Sequence, residues 1–194
     1  MSDIAVILLA AGRSSRMEGA NKLLLPWQST TISGHVVNTL REAGFDRIIG
    51  VANHITLDHL TSLGIQTIEN ARFMEGMTTS IQAGISVAGD AEAFMICPGD
   101  LPYITSSEYQ LVADSLKKKL TSDPNAIAVP VFHGQKGHPV IFSAAYRDEI
   151  MKHTEMEGCS GIIKSNQANV LKVEMPTDHV LRDIDTREDY IYSQ

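Results

Sequence analysis

The strongest constraint on the fold comes from the first apolar run, Ile4–Leu9, which is continuous rather than alternating. A strand with that pattern is buried on both faces, as happens when helices cover both sides of a parallel sheet. Similar short runs recur, each followed by a helical pattern. They predict strands at Arg47–Ala52, Gln66–Ile68, Ala93–Cys97, Ala126–Val131 and Val170–Val173. A helix is predicted over Ile32–Ala43, where Ile32, Val36, Val37, Leu40 and Ala43 share one face and Gly44 supplies the stop. Further helices are expected near Leu57–Leu63, Thr78–Val87 and Ala144–Lys152, and from about Ser160 and Arg187. Another begins at Thr105, which has capping-box spacing to Glu108, and ends at Lys117–Lys119, where the helix dipole favours cations. "HGQKGHPVIF" reads as a hairpin with its turn at Gly134–Gly137.

This alternation implies an α/β fold, a three-layer α/β/α sandwich on a mostly parallel twisted sheet, with the hairpin adding an antiparallel strand. With no repeat or linker, residues 1–194 are expected to form one domain. Ligands of such sheets sit beyond the carboxyl ends of the strands, which directs attention to the loops after Leu9, Ile68, Cys97 and Val131.

A net charge of −7 argues against a general nucleic-acid or anionic-membrane surface, so an anion must be held by a few placed groups. Cys97 and Cys159 lack metal-site spacing, and the sequence reads without a signal peptide or a membrane-length apolar run, so neither is expected. Reduced thiols in the cytoplasm are the expectation.

The first loop, "LLAAGRSSRMEGANK", offers close backbone approach at Ala10, Ala11 and Gly12, then three cations, Arg13, Arg16 and Lys22. Such a set suits a polyphosphate. An exposed, solvated basic loop is the other reading of the same residues. A P-loop is excluded, because Ala20 and Asn21 follow Gly19, and the GxGxxG fingerprint is missing. Farther on, "FMICPGDLP" carries Asp100 to the end of a predicted strand, where it suits either a turn or a Mg²⁺ touching phosphate oxygens. "DIDTREDY" holds Asp183 and Asp185 just before a helix that Thr186 and Asp189 are placed to cap.

The first loop resembles the LAAGxSxRMGxxxK signature of nucleotidyltransferases, in particular the molybdenum-cofactor cytidylyltransferase and guanylyltransferase group of MobA-like enzymes. Leu9, Ala10, Ala11, Gly12, Ser14, Arg16, Met17 and Lys22 match, and Glu18 stands where the family has glycine. The resemblance implies a nucleotide-diphospho-sugar transferase-like fold and a loop, Arg13 included, that wraps a nucleoside triphosphate. Arg16 and Lys22 would hold its β- and γ-phosphates. "NARFMEGMTTSIQAGI" resembles a second block through Asn70, Gly76, Ser80 and Gly84, which places Asn70, Ser80 and Gly84 on the nucleotide side. Asp100 falls on the family's Asp-x-Pro metal ligand and Asp185 on its second metal carboxylate, so the implied cofactor is Mg²⁺. Gly137, His138 and Pro139 match a Gly-His-Pro block on the acceptor side, whether His138 binds substrate or orders its loop. "GCSGII" departs from the family, with Cys159 in place of an aspartate.

Together these imply transfer of CMP from CTP, favoured by Ala11, to a phosphorylated acceptor, with loss of pyrophosphate. Molybdopterin is the leading acceptor, and a molybdenum hydroxylase is a partner to be served. A sugar- or alditol-phosphate cytidylyl- or uridylyltransferase and a non-catalytic molybdenum-cofactor carrier are the alternatives.

Overall fold

A computed structural model describes residues 3–14, 17 and 20–192. Arg16 and Glu18 lie outside the described residues. Strand β1 (Ile4–Ala10) runs through the sheet interior, between β4 (Ile48–Ala52) and β6 (Ala93–Pro98), parallel to both. Beyond β4 lies β5 (Gln66–Glu69), also parallel. On the other side come β9 (Val140–Ser143), β7 (Ile127–Phe132) and β10 (Val170–Glu174), giving the order β10-β7-β9-β6-β1-β4-β5, with β8 (Gln135–Lys136) paired to β7.

The continuous pattern of β1 is explained by two cores. Val6 and Leu8 pack with residues of α1 (Ile32–Glu42), α2 (Leu57–Ser62) and α4 (Ser106–Leu120), among them Leu40, Leu60 and Leu116. Ala5 and Ile7 point the other way, toward α3 (Met77–Ser86), α5 (Arg147–Lys152) and α6 (Ser160–Ser165), where Ile81, Ile150 and Ile162 meet them. The result is the expected three-layer sandwich. At Gly84 of α3, a Cβ would run into Ile7 and Val51, so the absence of a side chain sets how closely that helix lies on the sheet. The capping box of α4 forms as expected, with Thr105 N–H donating to Glu108 Oε2 at 2.8 Å.

The hairpin differs from its prediction. Its turn is at His133–Gly134, both at positive φ (48° and 81°), not across Gly134–Gly137. A two-residue turn of this kind follows the right-handed twist of its strands, and Phe132 pairs directly with Gln135. The chain then passes through a cis His138–Pro139 bond, and β9 enters between β6 and β7, antiparallel to both. The antiparallel strand is therefore internal. A short ribbon, β2 (Pro26–Trp27) with β3 (Thr30–Thr31), was not predicted, since two-residue strands leave no periodicity to read. The final helix, α7 (Arg187–Tyr192), begins near its expected position, and no helix among the described residues is long and apolar enough to cross a membrane.

Candidate active site

The loop after β1 is fixed through its carbonyls. Asn53 Nδ2 donates to Ala11 O (3.1 Å) and Gly12 O (3.3 Å), and Thr56 Oγ1 donates to Ala10 O (2.8 Å). Both side chains are buried where β4 ends, and Asn53 Oδ1 in turn accepts from the amides of Ile55 and Thr56. Sequence reading passed over this pair; its signal is an Asn-x-x-Thr step immediately after a strand one place over from β1. Nothing lies within 4 Å of where a Gly12 Cβ would stand, so the cleft opens directly onto that backbone. Ser14, at φ 47°, accepts from Lys22 N at 3.3 Å, while Asn21 Oδ1 accepts from Leu23 N at 3.1 Å. The two bonds start the 3-10 turn Lys22–Leu24 and present Lys22 to the ends of the strands.

Lys22 Nζ lies 2.5 Å from Asp100 Oδ2 and 2.6 Å from Asp185 Oδ1. Burial works to lower the ammonium pKa, but the two carboxylates outweigh it and the net shift is upward. Asp100 follows β6, whose exit is tied to β1 by Gly99 N–H to Leu9 O at 3.0 Å. Asp185 is brought alongside by Ile184 N–H donating to Asp100 O, also at 3.0 Å. Asp183 joins them, with carboxylate oxygens of Asp100, Asp183 and Asp185 all within 4.8 Å of one another. The carboxyl of Asp183 is raised, first by burial against the cleft wall and then by its two acidic neighbours, although the residue as a whole is exposed. Asp100 Oδ1 is buried and has no hydrogen-bond partner among the described residues. A buried carboxylate oxygen without a donor, in a cluster of three acids, is what a hard divalent cation would satisfy.

Two cavities meet at these acids. The first, about 340 Å³, is lined by Leu9, Ala11, Gly12, Arg13, Ser14, Lys22 and Ser80, and also by Phe73, Gly76 and Met77. The second, about 380 Å³, is lined by Lys136, Gly137, His138, Val180, Leu181 and Asp183 among others. Met77, Pro98, Asp100 and Asp185 belong to both.

Several expected residues sit elsewhere. The Ala10 side chain is in the core and contributes only backbone. Asn70 is buried and does not line the first cavity; its Nδ2 donates to Thr79 Oγ1 (2.9 Å) and Ser80 Oγ (3.0 Å), and its Oδ1 accepts from Arg72 N (2.9 Å). It shapes the approach to α3, and so orients Ser80. Gly84 is the packing glycine described above and is likewise outside the cavity wall. Arg16 falls among the residues not described. Pro139 does not line the second cavity, whereas Gly137 and His138 do. Phe73 and Met77 were not anticipated.

A Cβ at Gly137 would collide with the backbone carbonyl of Val180, and His138 N–H donates to that same carbonyl at 3.0 Å. Burial lowers the His138 pKa against an opposing pull from Asp100, so the imidazole is neutral at pH 7, with Nδ1 unpartnered among the described residues. Thr186 and Asp189 form their cap, Thr186 N–H donating to Asp189 Oδ2 at 2.7 Å and Asp189 N–H to Thr186 Oγ1 at 3.1 Å. Burial pushes the Cys97 and Cys159 thiols up to about 12, so neither is a nucleophile at neutral pH.

The sequence profile of the MobA-like NTP transferase domain matches residues 6–170. A molybdenum cofactor cytidylyltransferase of Escherichia coli is 27% identical over 196 residues, covering 98% of this chain and 95% of that protein. A probable molybdenum cofactor guanylyltransferase of Bacillus cytotoxicus is 28% identical over 140 residues, 70% of this chain and 66% of its own. The crystal structure of Rv0371c from Mycobacterium tuberculosis superposes with a TM-score of 0.80 at 24% identity, covering 100% of this chain and 98% of that one.

Proposed function

Because the chain belongs to the MobA-like NTP transferase family and is a nucleotidyltransferase, we propose that it transfers CMP from CTP to the phosphate of molybdopterin. The observation that carries this reading is the meeting of two cavities at Asp100 and Asp185, with Lys22 at the junction. One cavity has the exposed backbone and cations a triphosphate needs; the other offers an acceptor a path to the same point. CTP is favoured by Ala11, as the sequence resemblance implies, and by the cytidylyltransferase relative, which matches over nearly its full length.

Asp100 and Asp185, with Asp183 adjoining, would hold a Mg²⁺ ion, which when bound offsets charge on the phosphate oxygens. The acceptor phosphate is already ionised near neutral pH, so its oxygen attacks the α-phosphorus of CTP with no general base. A new P–O bond forms, the α–β bridging bond breaks, and pyrophosphate takes the electron pair away. The chain's own contribution is placement and charge. Gly12, Arg13 and Ser14 cradle the triphosphate, joined by Arg16 on the strength of the family signature. Lys22 exchanges its carboxylate partners for the β- and γ-phosphates and stabilises the leaving group. Ser80, Phe73 and Met77 line the side left for the nucleoside. Neutral His138 orders the acceptor wall and can donate a hydrogen bond to the incoming group. A molybdenum hydroxylase would be the recipient of the product.

A panel of CTP, GTP, ATP and UTP with molybdopterin, followed by pyrophosphate release, tests the reading. CTP should be the preferred substrate, and Asp100→Ala should lower the rate by about 10²–10³-fold. Equal turnover by Asp100→Ala, or turnover with GTP alone, would overturn it.

A further inference from the structure

Glu108 is 3% exposed and ionisable, and it lines neither cavity. Its Oε2 accepts from Thr105 N and Thr105 Oγ1, each at 2.8 Å, which completes the cap of α4. A capping box needs no more than this. Here the same carboxylate also faces His179 Nδ1 at 3.0 Å, and its Oε1 accepts from Thr177 Oγ1 at 2.5 Å. Hydrogen bonds from Thr177, Thr105 and His179 overcome the upward effect of burial and keep the group ionised.

The extra bonds reach a segment with little regular structure of its own. Between β10 and α7 the chain has one 3-10 turn, His179–Leu181. Without a strand ladder, such a segment is placed by individual contacts, from side chains and from isolated backbone bonds. The His179 ring is stacked with Tyr103 (centroids 6.4 Å apart, 25° between planes), and the Arg182 guanidinium carbon lies 4.0 Å from the centroid of the same ring. Immediately after His179, the Val180 carbonyl accepts from His138 N, and Val180 and Leu181 form part of the second cavity. Ile184 then pins Asp183 and Asp185 to the Asp100 backbone.

We propose that Glu108 is a positioning residue for the transfer reaction: acting through Thr177 and His179, it sets where residues 177–185 lie, and so places both the acceptor wall and the carboxylates Asp183 and Asp185. The inference rests on the reading of the second cavity as the acceptor's.

Two variants separate the strut from the cap. Thr177→Val combined with His179→Phe removes both bonds from Glu108 to the segment, and with them the His179 N–H bond to Thr177 Oγ1, while keeping an aromatic ring against Tyr103 and the Thr105–Glu108 box. Thr105→Ala weakens the cap and leaves Thr177 and His179 in place. The double variant should raise the acceptor KM about tenfold with the CTP KM within about twofold, the range expected when an outer partner of a site is lost. It should also speed hydrogen exchange at the Ile184 and His138 amides. Thr105→Ala should lower Tm with the acceptor KM and both amides near wild type. Wild-type acceptor KM and exchange in the double variant would overturn the proposal, as would equal shifts in both variants. If wild-type protein does not transfer CMP to molybdopterin, the preceding reading fails, while amide exchange at Ile184 still decides this one.

Discussion

The two sides of the cleft are built on different plans. The first-cavity side rests on adjacent parallel strands: Asn53 and Thr56 at the end of β4 hold the carbonyls after β1, and Ser14 and Asn21 set Lys22 a few residues on. The second-cavity side is assembled from segments far apart in the chain, with His138 bonded to Val180, Ile184 to Asp100 and Glu108 to His179. A wall built on neighbouring strand ends inherits its geometry from the sheet. A wall built from a strap with one short turn depends on a handful of individual contacts, so it should tolerate change less well and be easier to shift without loss of the fold.

Lys22 belongs to both plans, and its loss should have the largest effect. Lys22→Gln is expected to lower kcat/KM by about 10²–10³-fold, because on the proposed function it removes the positive charge that would offset the departing phosphates. The same variant should bind Mn²⁺ more tightly in the absence of nucleotide, since the ammonium no longer occupies the space between Asp100 and Asp185. Weaker Mn²⁺ binding in titration calorimetry would show that Lys22 assembles the acids rather than competing for them.

Asn53→Ala and Gly137→Ala sharpen the contrast directly. Asn53→Ala strips donors from two loop carbonyls and should cost about 1–3 kcal/mol of stability in denaturant unfolding, with the KM for CTP raised more than that for the acceptor. Gly137→Ala forces a Cβ against the Val180 carbonyl and should cost about 1–3 kcal/mol, with the reverse pattern in KM. Should both variants raise the same KM, the two walls are one mechanical unit and the contrast fails.

The smallest effect concerns pH. Burial depresses the His138 pKa below the ordinary 6.5, so the unfolded chain binds its proton first. The contribution to stability is full above pH 6.5 and is lost as pH falls from there through the lower, folded value. His138→Gln should therefore flatten the decline in Tm below pH 6.5 relative to wild type, a difference visible by calorimetry at a series of pH values. An unchanged slope would mean that the imidazole is solvated in the native cleft.

The same division explains what could be read in advance. That Leu9, Ala11, Gly12, Lys22 and Asp100 face one cleft was legible, because a continuous strand, a small-residue loop and an acid at a strand end all point to the carboxyl end of a parallel sheet. Asn70 and Gly84 were assigned to the nucleotide, although their type and spacing serve equally well for a turn and a close helix–sheet contact, and the contacts they make are of that kind. Asn53 and Thr56 were missed because they act on backbone carbonyls more than forty positions away. Glu108 was read only as a cap; its second role requires Thr177 and His179, which no local pattern connects to it.

The sequence by itself determined the layers, the parallel core and the phosphate-suited loop, because burial period and local backbone chemistry act over a few residues. Only the tertiary structure decided that β9 is internal, that Lys22 sits between two acids, and which residues hold residues 177–185 in place. Those outcomes depend on which segments meet across long stretches of chain, and burial, hydrogen bonding and charge settle that together.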